Sequence, residues 1–169
     1  MVWNQIFLWD PKQDDRKLIE EFLQGYYGSS APAIKEYLEL MAKEAQAWNL
    51  TFASGTNASF LRYDVMKRAE SILKRAEGMA QSPEIAWRVR QAHLSATYAW
   101  LQRWEEFWAE AKRRGDTWPL NPSRRAVADQ WLADATGKGP VGWTPITHID
   151  EGGQTPAQFI ARFAVDPKG

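Results

Sequence analysis

A chain of 169 residues carrying 21 basic and 21 acidic side chains and no cysteine can form one domain with a sizeable core, but is too short for a (β/α) barrel of about 250 residues. The even charge balance gives no electrostatic footprint for nucleic acid or an anionic membrane surface, so neither is an expected partner. Absence of cysteine removes disulfides, thiolate metal sites and cysteine nucleophiles, and two histidines, His93 and His148, are too few for a transition-metal site, so no metal or cofactor is expected.

The N-terminus, MVWNQIFLWDP, lacks the basic region, long apolar stretch and small-residue cleavage site of a signal peptide. It instead gathers Trp3, Ile6, Phe7, Leu8 and Trp9 into a short stretch that one helix face cannot bury. Trp3, Phe7 and Trp9 are therefore candidate contacts to a partner, to a second copy or to carbohydrate.

From Asp14 to Met41 the spacing predicts two amphipathic helices joined by a tight turn. Leu18, Ile19, Phe22, Leu23 and Tyr26 recur at helical intervals. Gly28 stands where a left-handed cap ends the first helix, and Ser30 and Pro32 suit the start of the second. After a polar loop over Asn49 to Ser59, a third helix is expected at about Arg62 to Ala80. Ser82-Pro83 then opens a long one running to Arg113 and closed by Gly115. Asn121-Pro122 repeats that starting device for a helix to about Ala135, closed by Gly137. The Gly-, Pro- and β-branched-rich stretch from Gly139 to Gly153 predicts a short extended hairpin, and Thr155-Pro156 a last short helix. The expected fold is mostly α: one domain over 1–169, an antiparallel bundle of about five helices ending in an extended hairpin and a short helix.

Two groups of residues invite a chemical reading. Trp100, Trp104 and Trp108 lie at i, i+4 spacing, which packs a helix face or lines up a stacking platform for sugar rings. Trp118 and Trp143, in loops beside prolines, are the better platform candidates, with capping of the bundle's end as the structural alternative. Arg90 and His93 fall on the apolar arc of the long helix, where a cation needs a partner: an acidic side chain of a neighbouring helix in a buried ion pair, or a ligand anion. Adjacent carboxylates such as Glu20-Glu21, Glu105-Glu106 and Asp150-Glu151 do not make the opposed pair that glycoside hydrolysis needs, and no catalytic residue is assigned.

The EFL-x-GYYG turn followed by AP and a Tyr-Leu helix, with IFLWDP just before it, resembles a helical region of bacterial proteins grouped as domain of unknown function 4838. RAESILKRAEGMA at Arg68 to Ala80 and PEIAWRVRQAHLSATYAWL at Pro83 to Leu101 look like that region's next two helices, so 1–115 reads as a family-like core and 116–169 as an extension. Arg88 and Arg90 match basic positions of the pattern, whereas His93 stands where another arginine is common. The resemblance implies a larger, α-glucuronidase-like parent, secreted or periplasmic, in which this helical part follows a glycoside-hydrolase-like barrel that carries the catalytic acids. On that basis the chain is expected to be a non-catalytic accessory domain supporting the barrel, its substrate cleft or a dimer interface. A free-standing carbohydrate-binding module and a protein-interaction module are the alternatives.

Overall fold

The computed structural model describes residues 15–48, 55–140 and 143–163. The segment bearing Trp3, Phe7 and Trp9 lies outside them. Within them the chain is helical: α1 (Asp15–Tyr27), α2 (Ala31–Gln46), α3 (Tyr63–Gly78), α4 (Pro83–Gln102), α5 (Trp104–Arg114), α6 (Arg124–Thr136) and α7 (Pro156–Ile160), with short 3₁₀ turns at Gly28–Ser30, Ser59–Leu61 and Ala161–Phe163.

α4 is the central element because it is apolar on two sides, as a helix with neighbours on both flanks must be. Val89, Ala96 and Trp100 face the larger core, built with Leu23, Ile34, Tyr37, Met66, Leu73 and Phe107 from α1, α2, α3 and α5. Leu94 and Leu101 face a second core, where they meet Trp104, Trp131, Phe159, Ile160 and Phe163 from α5, α6 and the C-terminal helical segment.

Most helix ends follow the expected chemistry. Ser82 Oγ accepts the Ile85 N–H at 3.1 Å with Pro83 behind it, and Thr155 and Gln158 form a reciprocal capping box on α7. Gly28 and Gly115 adopt φ of 51° and 69° after α1 and α5, the left-handed region that glycine enters without penalty.

Four expectations are corrected. Ser30 does not cap α2: its hydroxyl donates to the Ala76 carbonyl at 2.7 Å, and that of Ser29 to the Met79 carbonyl at 2.6 Å, so the turn between α1 and α2 satisfies the C-terminal end of α3. The cap of α6 is Ser123, whose Oγ takes the Ala126 N–H, while Asn121 Oδ1 takes the Ser123 N–H one step upstream.

The long helix from Pro83 to Arg113 bends at Arg103 (φ −111°, ψ 24°), which divides α4 from α5. No glycine or proline marks the place. The bend goes with the Arg103 guanidinium, which donates to the Leu61 carbonyl at 2.6 Å and lies 4.5 Å from the Phe107 ring centre. A long-range tie of this kind leaves no trace in local sequence.

The stretch expected as an extended hairpin forms no strand among the described residues. Its backbone bonds elsewhere: the Ile146 N–H donates to the Ala135 carbonyl at the end of α6, and the Ile149 N–H to the Gln154 carbonyl across a tight turn at Asp150.

Candidate functional site

α3 and α6 both pack on α4, and a cleft of about 480 Å³ opens along α4 between them. Its charged residues are Glu70 and Glu77 from α3, Arg90 and His93 from α4, and Asp134 from α6. Apolar periodicity explains how they meet. Glu70 and Glu77 are seven residues apart on the arc of α3 that also buries Met66 and Leu73, so both point at α4.

His93 is clamped between them. One ring nitrogen lies 2.8 Å from Glu70 Oε2 and the other 2.7 Å from Glu77 Oε1, an arrangement that a doubly protonated imidazolium satisfies by donating both N–H groups. Burial alone would discharge the ring. The hydrogen bonds and charges of Glu70 and Glu77 outweigh that effect and push the His93 pKa from 6.5 up to about 9. Glu70 is 1 % exposed, and its second oxygen lies 3.4 Å from Lys74 Nζ, which also donates to the Pro119 carbonyl.

Arg90 belongs to a wetter pair. Its Nε donates to Asp134 Oδ1 at 3.1 Å, with 38 % of the arginine side chain and 19 % of the aspartate still exposed. Asp134 Oδ2 accepts from Gln130, and its backbone carbonyl from Gln91. Arg90 therefore reaches an acidic partner on a neighbouring helix, but at the rim of the cleft rather than in its depth.

Counting Lys74, the network holds three cations (Lys74, Arg90, His93) and three carboxylates (Glu70, Glu77, Asp134). Because both His93 nitrogens are committed to carboxylates, the imidazole has no lone pair with which to accept a substrate proton, and as a general base at neutral pH it is disarmed. Among the described residues, no three histidine or carboxylate side chains are placed to hold a metal ion. The cleft works as a charged brace between helices.

The loop tryptophans pack inward. Trp118 stands edge-on to all three tryptophans of the helical stripe, its ring centre 5.3 Å from Trp100, 5.0 Å from Trp104 and 4.8 Å from Trp108. Trp100 and Trp104 are buried, and Trp108 is half-buried. Trp143 stands edge-on to Trp87 at 4.5 Å. Gly139 lies against that pair so closely that a Cβ there would fall 2.5 Å from Trp87 Cζ2 and 2.7 Å from Trp143 Cδ1.

Arg90 and His93 stand out in the sequence as cations on an apolar arc, whereas Glu70 and Glu77 are not among the residues it picks out. The signal was present: two acidic residues on the apolar arc of α3 have no reason to be there unless something charged faces them.

Fold and cleft together define a helical-bundle protein whose most developed polar cluster braces its own helices. The family model described as "Domain of unknown function (DUF4838)" matches residues 4–39, a stretch covering α1, the serine-rich turn, the first half of α2 and the aromatic segment before them; over it the chain is similar to that family. The helices at Arg68 to Ala80 and Pro83 to Leu101 lie beyond the match. No curated protein and no solved structure matches the chain.

Proposed function

We propose that this chain is a non-catalytic helical accessory domain of a larger, carbohydrate-active protein with a glycoside-hydrolase-like barrel, and that it supports the barrel, its substrate cleft or a dimer interface through a docking surface of its own. The observation that carries this reading is a coincidence of place. The family match lies on the α1–α2 hairpin, and the strongly exposed large apolar side chains among the described residues, Ile19, Phe22, Leu38 and Trp48, all sit on that hairpin or just after it. An apolar surface concentrated on one element is what a domain presents to something it packs against.

The chemistry of the cleft agrees with a supporting role. Its buried carboxylate, Glu70, is held by His93 and Lys74, whereas a glycosidase needs one free acid and one free base or nucleophile across a scissile bond. A free-standing carbohydrate-binding module is less well supported, because the ring of Trp118 is taken up by three other indoles and Trp143 is half-buried against Trp87.

The test is turnover. Incubated alone with aryl glycosides and glucuronosides, the chain is expected to release no aglycone. Release that disappears in Glu70→Gln or Glu77→Gln would place a catalytic site here and overturn the reading.

A further inference from the structure

Where the surface of the α1–α2 hairpin is taken as a docking face, the pattern of charge on it goes on to specify the occupant. Ile19 on α1 and Leu38 on α2 are 47 % and 46 % exposed. They flank a groove of about 660 Å³ whose charged residues are Arg16, Glu20, Lys35 and Glu39. On each helix a cation precedes an anion by one turn, Arg16 before Glu20 and Lys35 before Glu39, and the exposed aliphatic residue falls between the two in sequence. Lys35 bonds Glu20 across the groove and lies 4.0 Å from Glu39.

Such a face has no net charge, and its sign reverses along each helix. A strongly acidic or basic partner would meet like charge over half of it. A copy of the same face, turned end for end about a two-fold axis, meets opposite charge throughout, with the cationic turn of one chain over the anionic turn of the other and the aliphatic residues together near the axis. We propose that the α1–α2 face is an isologous interface occupied by a second copy of this chain. This rests on the reading of the hairpin as a docking surface, and narrows that reading to one partner.

The decisive experiment is the mass of the full chain in solution, measured by sedimentation equilibrium over a concentration series at low salt. The wild type is expected to move from the 19.4 kDa chain mass to twice that value. Two charge variants, Arg16→Glu/Lys35→Glu and Glu20→Lys/Glu39→Lys, surround the groove with four like charges each. Each alone is expected to stay monomeric while keeping the wild-type circular dichroism, and an equimolar mixture is expected to recover the doubled mass, because acidic and basic faces again complement each other. Leu38→Ser should weaken association without altering the charge pattern.

A wild type that remains at the single-chain mass up to hundreds of micromolar overturns the proposal, whether its face is open or covered by residues 1–14. So does a dimer that both charge variants form as well as the wild type, since it would use another surface. Neither result touches the expectation of no turnover, so the failure of this inference and that of the accessory-domain reading are distinguishable.

Discussion

Arg90 and His93 lie one turn apart on α4 and line the same cleft, yet they live under different electrostatics. His93 enters the layer between α4 and α3, where Glu70 meets it out of reach of water and Glu77, 37 % exposed, meets it from the rim. Arg90 reaches sideways to α6, where Asp134 takes one of its N–H groups and the rest of the pair stays partly wet. Helical periodicity gives two such residues the same face. What differs is the element that covers each of them, and that is decided by tertiary packing. A half-exposed pair contributes little because water and salt screen it, while a buried charge depends wholly on its partners.

The largest effect that would test this contrast is removal of Glu70. Glu70→Ala leaves the His93 clamp with one carboxylate and deprives Lys74 of its carboxylate, and is expected to lower unfolding stability by about 3–5 kcal/mol in urea titration. A loss below about 1 kcal/mol would mean that the buried brace is no stronger than the surface pairs.

Next in size is a pH dependence with a defined sign. The His93 pKa is raised from 6.5 to about 9 in the folded chain, so the stabilising proton is fully present below pH 6.5, is progressively lost as pH rises, and no longer contributes once the folded pKa is passed. The decline over that window is expected to be on the order of 3 kcal/mol, and His93→Gln should flatten it. A wild-type curve that is level from pH 6.5 to 9 would contradict the double hydrogen bond.

The smallest effects belong to the other member of the comparison. Arg90→Met and Asp134→Ala are each expected to cost less than about 1 kcal/mol, and to leave the slope between pH 6.5 and 9 unchanged. Were Arg90 buried, loss of Asp134 alone would be the more damaging of the two by several kcal/mol; a difference of that size in thermal melts would show the rim to be drier than its exposure indicates.

Much of the architecture is legible in the chain because local chemistry decides it. Ser82-Pro83, Thr155-Pro156, Gly28 and Gly115 mark helix ends by hydrogen bonds or dihedral angles that involve only their own neighbourhood. What escapes the sequence depends on distant partners. Arg103, where the long helix bends, is tied to the Leu61 carbonyl; Ser30 turns away from its own helix toward Ala76; and the stretch after Gly139 gives its backbone bonds to α6 and to a turn instead of to a second strand. At the cleft, the cations of α4 are visible as polar interruptions of an apolar arc, whereas pairing them with Glu70, Glu77 and Asp134 requires knowing that α3 and α6 flank that arc.

The two serine hydroxyls in the turn after α1 carry a consequence for how the chain can be cut. Ser29 and Ser30 reach 50 and 46 residues ahead to the carbonyls of Met79 and Ala76, so the first hairpin closes the end of a helix made much later in the chain. A fragment beginning at residue 55 would inherit α3 without these two donors, the Ala76 carbonyl keeping only its backbone bond from Met79, and a graft of the hairpin onto another scaffold would carry two hydroxyls without their acceptors. The matched segment is thus a poor module to transplant, and its boundary in sequence is no boundary in cooperativity: amide exchange in the last turn of α3 should quicken together with that of the turn at Gly28 when either serine is replaced by alanine.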